Sequence, residues 1–168
     1  MIKRKNSERV VSSMSDKQNN DNKNNNSSNQ TLPDIIHTAV FKAPLQVVWD
    51  TVSTADGLSL WFMPNDFTPQ EDSDFQLESP FGPSPCKVLD IEAPYRLSFS
   101  WDTEGWIVSF ILKETESGDT EFTLIHGGWK EPDAVINKVN RKSSEIHSTM
   151  DQGWNGLVNT KLRGAVEA

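Results

Sequence analysis

Four apolar segments in the second half of the chain are joined by turns too short for any connection except an antiparallel hairpin. The segments are Cys86 to Glu92, Arg96 to Asp102, Trp106 to Lys113 and Thr120 to Trp129. The connections between them are rich in Pro, Gly, Ser and Asp, which are turn residues, whereas a parallel pairing needs a crossover of about a dozen residues. The sequence therefore predicts an antiparallel meander.

The segment before this meander begins with a strand and continues with helices. Ile35 to Phe41 alternates apolar and polar side chains and is rich in β-branched residues, which is typical of a strand. Pro44 then suits the first turn of a helix, because the missing N–H of proline is not needed there. The apolar side chains that follow have helical spacing and predict one buried face: Leu45, Val48, Trp49 and Val52.

A second short helix is predicted from Ala55 to Trp61, ending before Met63-Pro64. Asn65 to Ser73 is predicted to be a loop. A short strand follows around Phe75 and Leu77, and the proline-rich Ser79 to Pro85 is predicted to be a long turn.

The C-terminal segment predicts one long amphipathic helix. Bulky apolar side chains lie along one helical face at Ile146, Met150, Trp154 and Leu157. The order of elements is then strand, two short helices, antiparallel strands and one long helix. This order predicts an α+β fold of the helix-grip type, in which a curved antiparallel β-sheet wraps around the C-terminal α-helix.

Residues 1–34 differ in composition from the rest of the chain. All fifteen aromatic residues come after this segment, and Lys17 to Gln30 has no apolar side chain. Such a segment cannot bury enough surface to offset the entropy of ordering. We therefore predict a disordered Asn-rich leader over 1–34, with Met1 or Met14 as the start of translation, and a helix-grip domain over 35–168.

Charge and cysteine content exclude several classes of partner. The leader carries six Lys and Arg against four acidic residues, which leaves ten basic and twenty acidic residues in 35–168. This acidic domain would repel nucleic acid and anionic membranes. The single cysteine, Cys86, excludes a disulfide within the chain, and no apolar segment is long enough for a transmembrane helix or a signal peptide. We expect a monomeric cytoplasmic protein without a metal or cofactor.

Four segments in this chain resemble a known family. They are Ala55 to Phe62, Ile91 to Trp101, Phe122 to Trp129 and Gly153 to Glu167. In this order they are similar to the signature segments of the family named for the activator of heat-shock protein 90 ATPase homologue (C-terminal-type domain), within the SRPBCC (START/Bet v-like) superfamily. The resemblance covers about residues 35–167.

The resemblance implies an apolar cavity between the sheet and the last helix, in a superfamily that binds lipids, polyketides and other hydrophobic small molecules. It also implies two alternatives, a modulator of a chaperone or stress-related partner protein and an enzyme of the cyclase or aromatase type. The eukaryotic co-chaperones of this family have a separate chaperone-binding domain, which residues 1–34 cannot supply.

Side-chain alternation indicates which residues face the interior. Leu97, Phe99 and Trp101 alternate with Ser98, Ser100 and Asp102, so the apolar set must face in. The same rule places Phe122 and Leu124 inside, and they bring His126 with them. From Trp106 to Leu112 both faces are apolar, and we expect the bulkier set, which includes Trp106 and Phe110, to face in. These side chains can either pack solidly or surround a pocket, and both alternatives stay open. The candidate ligand-binding residues are Trp61, Phe75, Leu77, Phe99, Trp101, Trp106, Phe110, His126, Met150 and Trp154.

His126 has two interpretations, because a buried imidazole needs hydrogen-bond partners. It can anchor a polar group of the ligand, or it can be a structural residue bonded to the backbone or a tryptophan. His37 is predicted to be structural or exposed, and His147 and Asp151 either bond to each other or lie on a solvated helix face. Arg96 is predicted to form a salt bridge with an acidic residue or to cap a turn.

Catalysis has little support in the sequence. The chain has no G-x-S-x-G, H-E-x-x-H, P-loop or G-x-G-x-x-G motif. Cys86 follows Pro85 at the head of a strand, where a buried, inert thiol is the usual outcome. We therefore assign no catalytic residue and expect a protein that binds a hydrophobic small molecule.

Overall fold

The computed structural model describes residues 30–168 and confirms the helix-grip fold. The predicted leader lies outside the described residues, apart from its last few. Of these, Leu32 donates its backbone N–H to the carbonyl of Lys130, and Pro33 accepts a hydrogen bond from His147.

Six antiparallel strands form one sheet in the order β1-β6-β5-β4-β3-β2. They are β1 (Ile35–Phe41), β2 (Asp74–Ser79), β3 (Gly82–Glu92), β4 (Arg96–Trp101), β5 (Trp106–Glu114) and β6 (Thr120–Gly127). Strands β2 to β6 form the predicted meander, and β1 pairs with the last of them, so that Phe41 lies opposite Thr120. A bulge in β3 between Val88 and Asp90 shifts the register, and such bulges bend a strand.

The two short helices after β1 are α1 (Leu45–Val52) and α2 (Ala55–Trp61). The backbone carbonyl of Pro44 accepts the first hydrogen bonds of α1, so proline is the N-cap residue rather than the first helical one. Thr54 caps α2 by accepting the backbone N–H of Gly57 at 3.0 Å. Trp61 at the end of α2 is fully buried against Phe110 and Phe122.

The predicted long turn over Ser79 to Pro85 is wrong, because β3 already begins at Gly82 and pairs with β2. Pro83 and Pro85 are tolerated in this strand for a geometric reason. The carbonyl of Pro85 accepts the backbone N–H of Asp102, so its missing N–H also points away from β2 and costs no bond of the β2–β3 ladder.

The last strand ends two residues earlier than predicted. Gly128 has a φ of +84°, which lies in the left-handed region and cannot continue a strand. A Cβ at this position would also overlap the backbone carbonyl of Gly105 in the β4–β5 turn. The chain therefore leaves the sheet after Gly127.

Residues 130–142, which we call the strap, connect β6 to the last helix. The strap contains a small hairpin of two short strands, β7 (Val135–Ile136) and β8 (Arg141–Lys142). Its side chain Ile136 is only 3% exposed, so this connection packs against the core.

The C-terminal helix runs as α3 (Ser143–Gly156), a π-helical segment (Leu157–Leu162) and α4 (Arg163–Val166). Buried side chains recur at strict four-residue spacing at Trp154, Val158, Leu162 and Val166. An ideal α-helix has 3.6 residues per turn and would rotate this series off the sheet, whereas the wider π-helical turns keep it facing inward. Leu157, the last residue of the predicted stripe, packs against the core but is only partly buried, and the fully buried positions beyond Trp154 are Val158, Leu162 and Val166.

Side chains of the last helix also cover the exposed edge of β1. Arg163 donates to the carbonyl of Val40 at 3.1 Å, and Glu167 accepts the backbone N–H of Lys42 at 2.8 Å. His37 bonds to Asp151 at 2.8 Å. The helix thus satisfies polar groups of an edge strand that would otherwise be open to pairing with other chains.

Candidate functional site

A cavity of about 170 Å³ lies between the ends of strands β2 to β5, the strap and the start of α3. Its wall is mostly apolar. The lining residues are Met63, Ser79, Pro80, Phe81, Ser84, Trp101, Asp102, Glu104, Trp106, Ile136, Lys138, Val139, Arg141, Ile146, Thr149 and Met150. Phe81, at the tip of the β2–β3 hairpin, is 68% exposed and stands at the mouth.

The predicted ligand-binding residues divide into two groups. Trp101, Trp106 and Met150 line the cavity. The other seven lie outside its wall in the packed core: Trp61, Phe75, Leu77, Phe99, Phe110, His126 and Trp154. The interior of the sheet is therefore largely solid, and the cavity occupies the end where β4 turns into β5.

His126 lies directly behind this wall. Its ring centroid is 5.5 Å from that of Trp101 and 5.1 Å from that of Trp106. Trp129 and Trp154 enclose it further, at 4.8 and 6.0 Å. Four indole rings thus surround one imidazole that has no exposed surface.

The hydrogen bonds of His126 fix its protonation state. The indole N–H of Trp154 donates to Nδ1 at 2.9 Å, so Nδ1 is an acceptor and the ring proton is on Nε2. Nε2 has no hydrogen-bond partner among the described residues. Burial, with a smaller contribution from the nearby His147, lowers the pKa of His126 to about 3. The imidazole is neutral at physiological pH, and its bond to a tryptophan matches the structural interpretation.

The wall itself carries one unpaired donor. Trp101 is 5% exposed, and its indole Nε1 has no partner among the described residues. A buried N–H without an acceptor costs about 1–3 kcal/mol. Because this atom has almost no accessible surface, the cost belongs to the fold, and the donor is not presented to a ligand in the cavity.

The charged residues at the rim are paired. Lys138 contacts Asp102 and Lys130 contacts Glu104, each at 2.8 Å. Arg141 pairs with Glu145 at 3.1 Å across one turn of the helix start. The rim therefore presents balanced charge to the cavity.

The other titratable residues lie away from the cavity. Cys86 is buried, and burial raises the pKa of its thiol to about 12, so the thiolate is scarce at neutral pH. Arg96 forms the expected salt bridge, with Asp90 at 2.7 Å. His147 and Asp151 do not bond to each other: His147 bonds to the carbonyl of Pro33, and Asp151, whose side chain is 52% exposed on the helix face, bonds to His37.

Across residues 30–168, no three His, Cys, Asp or Glu side chains come close enough together to hold a metal ion. In the same part of the chain, every helix is too short or too polar to cross a bilayer.

The sequence reasoning missed the strap side of the cavity. Ile136 and Val139 are apolar residues within an otherwise polar connection, and this contrast was the available signal. Phe81 was missed because the hairpin was interpreted as an irregular turn. Ile146 was placed correctly on the helix stripe but was not assigned to the site.

This curved sheet, gripping one long helix and leaving an apolar cavity at its end, defines a helix-grip protein. Residues 42–167 match the family described as Activator of Hsp90 ATPase homolog 1-like protein. The chain belongs to this family.

Solved structures show the same fold. Protein BH1534 from Bacillus halodurans is 51% identical, with a TM-score of 0.76 over 82% of this chain and 99% of that one. The Aha1 dimer from Colwellia psychrerythraea is 17% identical, with a TM-score of 0.65 over 81% and 97%. CalU16 from Micromonospora echinospora is 23% identical, with a TM-score of 0.60 over 79% and 76%. No curated protein matches the chain.

Proposed function

We propose that this protein binds an apolar small molecule in the cavity between the sheet end, the strap and α3. The observation that carries the proposal is the cavity wall, where Trp101, Trp106, Ile146 and Met150 surround empty space inside an otherwise close-packed core. Ligand sites of this kind combine apolar walls with a few polar groups.

The size of the cavity limits what can enter it. An engineered apolar cavity of about 150 Å³ binds benzene, so about 170 Å³ accommodates roughly one aromatic ring. A larger flat molecule, such as a flavonoid-like or polyketide-like compound, would place one ring inside and extend past Phe81. A fatty acid would fit only its terminal segment.

His126 does not take the anchoring role that the sequence suggested, because its ring has no exposed surface and its Nδ1 already accepts the indole N–H of Trp154. The unpaired indole N–H of Trp101 is likewise enclosed by protein. In this proposal apolar contacts with the wall therefore supply most of the affinity.

We assign the protein to binding rather than catalysis. Acid–base chemistry needs a titratable group within hydrogen-bond reach of the ligand, and His126 is enclosed by four tryptophans instead. The charged groups at the rim are held in ion pairs. We further propose that the protein acts as a cytoplasmic monomer, a setting that suits its single, buried thiol.

Titration of one-ring aromatics and of flavonoid-like, polyketide-like and fatty-acid-like compounds tests the proposal. Binding should change tryptophan emission, because two tryptophans form the wall. It should also shift the amide resonances of β4, β5, the strap and α3.

Met150→Phe should reduce binding at least about tenfold by placing a ring in the cavity, since lost burial of one apolar group costs about 1.5–3 kcal/mol. Leu60→Phe is the matched control, because Leu60 is 70% exposed and does not line the cavity. If no compound gives a saturable response, the binding function is refuted. If only exposed residues such as Ile36 and Ile107 respond to a protein partner, the modulator alternative replaces it.

A further inference from the structure

The strap is held to the sheet by two lysine–carboxylate pairs that close on the same turn. Lys130 contacts Glu104 and Lys138 contacts Asp102, both at 2.8 Å. The two lysines are on the strap, and both carboxylates come from the turn between β4 and β5. We call these two ion pairs the clasp.

The two carboxylate side chains of the clasp are largely buried. The side chains of Asp102 and Glu104 are 12% and 13% exposed. Ion pairs on an open surface contribute little because water screens them, and partial burial reduces this screening. Both carboxylates also belong to the cavity wall, so the clasp lies where the strap meets the site.

The ammonium group of Lys138 is fully used by contacts within the protein. Besides Asp102, it donates to the hydroxyl of Ser84 at 2.9 Å and to the carbonyl of Pro83 at 3.2 Å. A lysine ammonium has three protons, and each has an acceptor here. Lys138 therefore joins the strap to β3 and β4 and has no proton left for a ligand.

Apart from these side chains, little ties the middle of the strap to the six-stranded sheet. Among residues 30–168, the backbone hydrogen bonds of 131–142 are made within the strap or with the first residues of α3. Examples are Asn140 N–H to Ile136 and Ser143 N–H to Ala134. Segments with few bonds to the core open at low free-energy cost. Apolar packing of Ile136 and Val139, together with the clasp, thus holds the middle of the strap against the core.

We propose that the strap is a lid over the cavity, that the clasp keeps it shut, and that the ligand is uncharged. This inference rests on the proposed binding function. Opening of the clasp would admit molecules larger than the single ring that the closed cavity accommodates. An anionic ligand would have to leave water for an apolar wall, and Lys138 and Lys130 are already engaged by Asp102 and Glu104, so the paired rim offers it no countercharge.

Two fluorescent probes that differ by one charge test both parts of the inference. N-phenyl-1-naphthylamine is neutral, and 1-anilinonaphthalene-8-sulfonate has the same ring framework with a sulfonate. The neutral probe should bind at least about tenfold more tightly to the wild-type protein, because a sulfonate would lose its water of hydration next to an apolar wall whose cationic groups are already paired. Equal affinity, or tighter binding of the sulfonate, would overturn the assignment of an uncharged ligand.

Lys138→Met tests the clasp, because it keeps the length of the side chain and removes its charge. Stopped-flow association of the neutral probe should become about three- to tenfold faster as the open state becomes more populated. Lys130→Met should act in the same direction. Lys142→Met is the matched control on the same strap, because Lys142 is 58% exposed and only approaches Asp133 at 3.6 Å. High salt should accelerate association to the wild type more than to Lys138→Met, which keeps only the Lys130–Glu104 pair.

Hydrogen exchange separates failure of the lid from failure of the binding function. In Lys138→Met, the amide of Asn140 should lose protection while the amides of β5 keep theirs. If neither probe binds, the binding function fails, and the exchange result still decides the lid. If the neutral probe binds with the same association rate in every variant, or if strap protection is unchanged, the clasp does not hold a lid.

Discussion

The buried, neutral His126 gives this fold a pH dependence that can be calculated from one site. In the unfolded chain the imidazole has its ordinary pKa of 6.5, and in the folded protein burial lowers this pKa to about 3. Between these two values the unfolded state binds more protons than the native state. The contribution of His126 therefore lowers the free energy of unfolding as the pH falls through 6.5, and the loss of stability levels off below about pH 3.

The magnitude follows from about 1.36 kcal/mol per pKa unit. His126 should cost the wild-type protein about 2 kcal/mol of stability at pH 5 and about 3 kcal/mol at pH 4, relative to pH 8. The native ring has no exposed surface, so solvent does not screen this effect.

His126→Asn isolates this contribution. Asparagine has an oxygen that can accept the indole N–H of Trp154 in place of Nδ1, but it does not titrate. The variant should be less stable than the wild type at pH 8, because the smaller side chain leaves a cavity among the four tryptophans. The difference between the two proteins should then shrink by about 2 kcal/mol on going to pH 5.

Urea denaturation from pH 8 to pH 4, followed by tryptophan emission, measures these free energies. Protonation of carboxylates contributes to both proteins and cancels in the difference. Lys161→Ala, on the exposed face of the helix, should keep the wild-type pH profile. Parallel profiles for the wild type and His126→Asn would refute the assignment of a neutral, enclosed imidazole, as would an NMR titration that protonates His126 near pH 6.

Two further substitutions and one chemical modification test the packing. Trp154→Ala should lower the free energy of unfolding by about 3–5 kcal/mol, since Trp154 is 2% exposed, stacks on Phe62 and bonds to His126; a urea midpoint matching that of Lys161→Ala would contradict this. Gly128→Ala should lower the free energy of unfolding by about 3 kcal/mol or prevent folding, because its left-handed backbone and its contact with Gly105 leave no place for a Cβ. Gly118→Ala is the control, since Gly118 also has a positive φ but open space around it, and the difference between the two variants in thermal denaturation measures the steric contribution. The thiol of Cys86 should react with an aromatic disulfide reagent about a hundredfold more slowly in the native protein than in urea, because burial raises its pKa to about 12; equal rates would show that the strand is open at this point.

Several features of the fold could be predicted because they depend on neighbours in the sequence. The short turns dictated antiparallel pairing, and the alternation of Leu97, Phe99 and Trp101 with serines dictated which face of β4 is buried. The same alternation placed His126 inside. These inferences are confirmed, because the period of two in a strand leaves only one arrangement that buries the apolar set.

Other features needed the tertiary structure. The prolines of β3 look like turn residues until one knows that their imide nitrogens point away from β2. The π-helical segment keeps buried residues at four-residue spacing in contact with the sheet. Local helix propensities do not predict this segment, because the contact with the sheet forms only in the folded protein.

The sequence determined that aromatic side chains fill the interior, but it could not predict where the packed side chains leave a cavity. Volume complementarity depends on how side chains from distant segments meet. Lys138 of the strap follows Asp102 of the β4–β5 turn by 36 residues in the sequence. The two side chains meet only when the folded chain brings the strap against this turn. The cavity and its clasp are products of that long-range contact, whereas the aromatic wall behind them follows from the alternating pattern of β4 and β5.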